Sequence, residues 1–295
     1  MPDKDKLSER DKGAVMSYIP LKQVESGVKG YTILCRLYDE ITSCREKEHY
    51  IEILKWFDGN MCAPLGCLLT QLYHQGHKFY VKSDSKIREF FEKNGFNKIF
   101  GESERSVDCY NTVIPYEIFS PTDSLGFSEY AKQWLPINKF PDMTERLWDK
   151  IQDSIFELFS NAAIHSETEK VYICGQFFPK KKRLTFSMAD SGIGFQKRIY
   201  RSLNKKMPAA QAISWATQCG TTTKTDVPGG HGLDLLKKFI SYNKGRLHIV
   251  STGGFWCWEN DVESTEELSS PFPGTVINIE VRTNDPLHYC LSDEV

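Results

Sequence analysis

Apolar positions along this chain follow two periods. Around residues 144–165 they fall at Leu147, Ile151, Ile155, Leu158 and Ala162, the three-and-four spacing of an amphipathic helix. Residues 63–75 repeat the pattern through Leu65, Leu68, Leu69 and Leu72, with Pro64 in the first turn and Gly76 placed to close the helix. Residues 85–93, carrying Ile87, Phe90 and Phe91 and ended by Asn94-Gly95, predict a further helix, as do residues 232–242. Runs of β-branched and aromatic residues predict strands over 31–37, 50–57, 77–82, 171–178, 183–189, 246–251, 254–259 and 275–281. Asp58-Gly59-Asn60 and residues 179–182 are turn signals. Residues 195–229 are polar and Thr-rich, with one helical piece over 209–217, and the acidic stretch 259–267 reads as a solvated loop.

These elements divide the chain. Residues 1–13 are polar and predict a flexible terminus. Residues 14–110 predict a small α/β domain. Residues 111–143, punctuated by Pro115, Pro121, Pro136 and Pro141, predict a linker that packs partly on a second α/β domain formed by residues 144–295. A length of 295 residues suits two cores better than one. Apolar residues at 40% and charged residues at 26% describe a soluble globular chain. A net charge of −2 argues against nucleic-acid binding by bulk electrostatics, and the short run Lys180-Lys181-Lys182-Arg183 reads as a solvated turn. The nine cysteines are odd in number, scattered and without a C-x-x-C pair, which fits a reducing cytoplasm and no zinc site. The charged N-terminus is no signal peptide, and no apolar run is long enough for a membrane span.

Candidate chemistry lies on the helix around 144–165. Glu157, Asn161 and His165 stand at four-residue spacing, so they line one slowly drifting face. Glu157 and Asn161 sit at the edge of the buried stripe, suited to a pocket between helix and sheet. A carboxylate and a carboxamide so placed can hold a metal ion and a water against a phosphate. Downstream, Asp190-Ser191-Gly192-Ile193-Gly194 comes after a strand, and an aspartate there can accept from an exocyclic amine while glycines let backbone approach a flat ring. Gly229-Gly230-His231-Gly232-Leu233 leads into a helix, whose free N–H groups suit phosphate. Gly274-Thr275 opens the last strand.

In this order and spacing, the four pieces resemble the Bergerat ATP-binding fold of the GHKL group: gyrase, heat-shock chaperone, histidine kinase and MutL domains. Residues 157–165 resemble its N box, Asp190–Gly194 its D-x-G-x-G box, Gly230–Leu233 its G-x-G-L box, and Gly274-Thr275 its terminal G-T. The resemblance covers about residues 140–283. It implies an α/β sandwich with helices on one face of a mixed sheet, and ATP and Mg²⁺ as cofactors. Asn161 is then the magnesium ligand and Asp190 the adenine acceptor. Gly192 and Gly194 shape the adenine end, and Gly230, His231, Gly232 and Leu233 form the phosphate box. Thr275 supports adenine, and residues 195–229 form a lid from which Thr223 and Lys224 reach phosphate. Glu157 is the group that orients or deprotonates a water in the family's ATPase branches; His165 plays a supporting part.

The order of elements over 14–110 resembles, more loosely, a STAS domain, the partner module of GHKL anti-sigma kinases. The phosphoacceptor position of such domains corresponds to Asn60-Met61-Cys62-Ala63-Pro64, which holds no hydroxyl, so this unit reads as an interaction or dimerisation module. Three functions are compatible with these readings. The first is a cytoplasmic regulatory protein that binds and slowly hydrolyses Mg-ATP, coupling nucleotide state to a protein partner at the front domain. The second is a serine/threonine protein kinase of the anti-sigma type. The third is an interaction module gated by nucleotide without turnover.

Overall fold

The computed structural model describes residues 16–101, 103–218 and 231–294. The chain is a mixed α/β protein with two sheets. The first sheet is parallel, in the order β1 (Met16–Val24), β2 (Glu48–Phe57), β3 (Lys78–Ser83). Its crossovers are α1 (Val28–Ser43) and α2 (Cys62–His74). Next come α3 (Ser85–Asn94), capped by Asp84 and closed by Gly95 at φ 86°, and α4 (Phe96–Phe100).

Residues 31–37, expected as a strand, belong to α1. The reason is length: Tyr31, Leu34, Cys35, Leu37 and Ile41 are all buried, so the apolar spacing is helical over sixteen residues. Strand β1 is an element the sequence pattern did not single out.

The predicted linker is likewise structured. β4 (Val113–Phe119) is the edge strand of the second sheet, and α5 (Ser124–Trp134) lies on α6 (Glu145–His165), where Phe127 stacks on Phe159 at 4.2 Å. Thr144 caps α6 by accepting from the Leu147 N–H. The second sheet continues through β5 (Val171–Phe178), β6 (Arg183–Asp190), β7 (Arg246–Glu259) and β8 (Val262–Arg282), in the order β4-β5-β6-β8-β7. Every pairing in it is antiparallel, so the expected mixed sheet is an antiparallel one. The stretch 259–267 is not a loop. Asn260 and Asp261 make a tight turn at positive φ, and the strands on either side pair all the way to it. Two of its carboxylates are engaged by α8 (Ala209–Ala216): Glu267 accepts from the Ala210 N–H, and Glu263 accepts from the Ser214 hydroxyl.

Helices cover both faces of the second sheet, not one. On one face α6 and α9 (His231–Asn243) bury Leu184, Phe186 and Met188 of β6. On the other, α1 and α2 share a single core with Tyr172, Cys174, Ala189 and Val276. The layers therefore run parallel sheet, α1–α2, antiparallel sheet, α6–α9, and one core joins the front unit to the second sheet. A polar cluster sits inside this junction. Asn60, fully buried, donates to Ser187 Oγ at 3.0 Å and Asn278 Oδ1 at 2.7 Å, and accepts from Thr185 and Ser26. Beside it Arg183 bridges Asp58 and Glu280.

Removing one member of such a network strands the others in a dry place. Asn60→Ala is expected to lower unfolding free energy by about 3 kcal/mol, read by urea denaturation. A loss under ~1 kcal/mol would show that the cluster does not hold the layers together.

Candidate functional site

The end of β6 and the adjoining stretches of β8 and β7 place the residues of the expected adenine corner together. Asp190 pairs with Thr275 across β6 and β8, and Thr275 pairs with Ser251 across β8 and β7. All three are buried. The Thr275 and Ser251 hydroxyls lie 3.1 Å apart, and Ser251 Oγ accepts from the Phe195 N–H at 3.0 Å. Gly274, at φ 147°, crosses so close to Asp190 that a Cβ there would run into the Asp190 carbonyl oxygen. Gly194, at φ 73°, opens α7 (Gly194–Leu203) with no room for a side chain beside Ser251 and Thr252.

Asp190 is the electrostatic centre of this corner. Its Oδ1 accepts from the Gly192 N–H at 2.8 Å. Burial pushes its carboxyl up to about 7, against the smaller pull of that hydrogen bond. Ionised, the carboxylate is a strong acceptor; a ligand that donates an amine N–H to it recovers part of its desolvation cost.

The other wall is α6. At its C-terminal end the Ser166 carbonyl accepts from the Ile193 N–H at 2.7 Å, which ties the helix to the Asp190 loop. At Glu157 it meets α9: Glu157 Oε2 accepts from the Gly232 N–H at 3.0 Å. A Cβ on residue 232 would push that carboxylate aside and press on the Ser154 backbone, so glycine favours this contact between the two helices. Between these anchors on α6 lies Asn161, half-buried, whose side chain makes no hydrogen bond among the described residues. Leu233, also half-buried, packs at the edge of the core beneath α9.

The expected residues thus fall into three groups. Asp190, Gly192, Gly194 and Thr275 share one corner. Glu157, Asn161, Gly232 and Leu233 line the α6–α9 side, where α9 starts at His231. Thr223, Lys224 and Gly230 lie outside the described residues. The expected lid, in its described part, consists of α7 and α8 packed on each other and on β7. Ser251 is the participant the motifs did not single out; its only signal is its place in register beside Thr275. Glu157, expected to face a water, instead caps α9, because the free N–H at that helix start is a better partner than solvent.

Among the described residues no group of three or more His, Cys, Asp and Glu is placed to hold a metal ion. Asn161 offers one free amide oxygen, which suits a magnesium ion that draws its remaining ligands from phosphate and water.

Asp190 has a testable pH signature. Its folded pKa lies above the ordinary carboxylate value of 3.8, so its stabilising share is complete below that value and is lost as pH rises through about 7. Asp190→Asn cannot ionise. It should therefore raise the thermal midpoint over the parent at pH 8, with the gap closing towards pH 5.5. A pH-independent gap would place the carboxyl in contact with water. In sequence, the chain matches no family model and no curated protein.

Proposed function

We propose that the corner between α6, α9, the end of β6 and the adjoining stretches of β7 and β8 binds an adenine nucleotide with Mg²⁺. The observation that carries this reading is the convergence of Asp190, Thr275 and Ser251 in register on three adjacent strands, facing a helix that presents Asn161. A buried carboxylate next to two hydroxyls suits the amine edge of adenine, and the glycines let the backbone close tightly around that carboxylate. The start of α9 suits the phosphates. Asn161 would hold the Mg²⁺, which neutralises phosphate charge when bound. The resemblance to GHKL domains supports the same placement residue by residue.

Glu157 gives the reading its regulatory sense. Its carboxylate holds the N–H of Gly232, a donor that a phosphate oxygen at the start of α9 would also use. A phosphate arriving at α9 competes with Glu157 and frees it. The freed carboxylate stands on the helix that also bears Asn161, about one turn from it, where it can accept a proton from a water near the phosphate. Nucleotide-linked change in partner binding, with slow hydrolysis, is the function this arrangement supports best.

Titration with Mg-ATP by calorimetry tests the site. Asp190→Asn and Asn161→Ala should each weaken binding by tenfold or more, roughly the worth of one good polar contact; undiminished binding in both would remove the proposal. Glu157→Ala separates displacement from simple support. It should tighten Mg-ATP by about fivefold, the ~1 kcal/mol of the cap that phosphate no longer displaces, while phosphate release stops. Weaker binding in this variant would make Glu157 a plain ligand-side support.

A further inference from the structure

The parallel sheet is covered on one face only. α1 and α2 bury Ile19, Leu21, Ile51 and Ile53, whereas the opposite face is open among the described residues. Parallel sheets with an uncovered face are rare, because their strands depend on burial from both sides. This face also carries an ordered set of side chains. The strand register puts Tyr18, Tyr50 and Tyr80 side by side in one row across all three strands. Tyr18 and Tyr80 are 56% and 44% exposed, and Tyr18 stacks on Tyr50 with ring centres 6.0 Å apart. The Tyr18 hydroxyl donates to Glu52 at 2.5 Å, which fixes the ring.

Charges flank the tyrosines in a definite order. One row below, Glu48 stands beside Lys78; one row above, Glu52 stands beside Lys82. In both rows the carboxylate is on β2 and the ammonium on β3. The rows therefore carry no net charge, and a uniformly acidic or basic partner would meet a like charge in each of them. A second copy of the same face meets none. With a two-fold axis parallel to the strands and midway between β2 and β3, each row faces itself with left and right exchanged. Glu48 of one copy then faces Lys78 of the other, Glu52 faces Lys82, and Tyr50 faces Tyr80. Aligned face-to-face packing of two sheets accommodates such rows within reach of long side chains.

We propose that this chain forms an isologous dimer through the outer face of its three-stranded sheet, with the tyrosine row as the apolar centre and the two Glu–Lys rows setting the register. The contact is small, at the transient end of protein–protein interfaces, so the dimer is concentration-dependent. It is independent of the nucleotide site, which lies beyond the α1–α2 layer on the far side of the antiparallel sheet.

Complementary charge reversal tests it, by sedimentation equilibrium over a concentration series of the full chain. The parent should show a reversible monomer–dimer equilibrium. E48K/E52K places lysines opposite Lys78 and Lys82 of the second copy, and K78E/K82E places glutamates opposite Glu48 and Glu52. Each should weaken self-association by roughly tenfold or more. Mixed in equal amounts, the two variants present opposite charges in every row, and the mixed dimer should return to near the parent affinity. The within-chain pairs remain broken in both variants, so recovery on mixing reports only the contact between copies. These pairs are exposed, and their loss leaves folding nearly unchanged. Tyr80→Ser, which alters no charge, should also weaken the dimer. A parent that stays monomeric to its solubility limit, a dimer indifferent to all three variants, or no recovery on mixing overturns the proposal.

Discussion

The structure depends on one constraint: an antiparallel sheet with two apolar faces must be covered twice. β6 shows why. Leu184, Phe186 and Met188 point to one side and Ala189 to the other, with Thr185 and Ser187 between. Helices α6 and α9 supply one cover and α1 and α2 the other, so the two halves of the chain share a core. The polar cluster around Asn60 and Arg183 then selects a single registration of the α1–α2 layer. Apolar packing alone tolerates sliding; buried hydrogen bonds with fixed partners do not.

The candidate site inherits its geometry from the same sheet. Asp190 and Thr275 are register partners, and the strands that bear them also bear Ser187 and Asn278, the acceptors of Asn60. The front unit thus works as a backing plate beneath the corner that holds Asp190, Thr275 and Ser251. Asn60, Met61, Cys62 and Ala63, at this junction, are fully buried.

Much of this was legible in the sequence, for reasons that differ by element. The α6 helix was plain because its apolar spacing, its Thr144 cap and its length agree. The hairpin of β5 and β6 was plain because two apolar runs flank a short turn. Residues 31–37 misled, since a window of seven shows β-branched and aromatic content but not the helical repeat that runs to Ile41. The strand over 113–119 was hidden by Pro115, which an edge strand tolerates. The acidic hairpin misled because its charges looked solvated, yet Glu263 and Glu267 bind α8 across a gap in sequence that no local pattern reports. The site motifs were legible as glycines and carboxylates. Ser251 and the cap that Glu157 makes on Gly232 were not, because both exist only once distant elements meet.

The shared core has a consequence for how this chain comes into being. Asn60 and its partner Asn278 are separated by 218 positions, and α1 and α2 are emitted long before β8. Until β8 is made, α1 lacks the strand it rests on, and Asn60 can reach Ser187 of β6 but not Asn278. The α1–α2 layer is therefore completed only after β8 has been made. In this architecture a layer made before the second sheet is completed only after it.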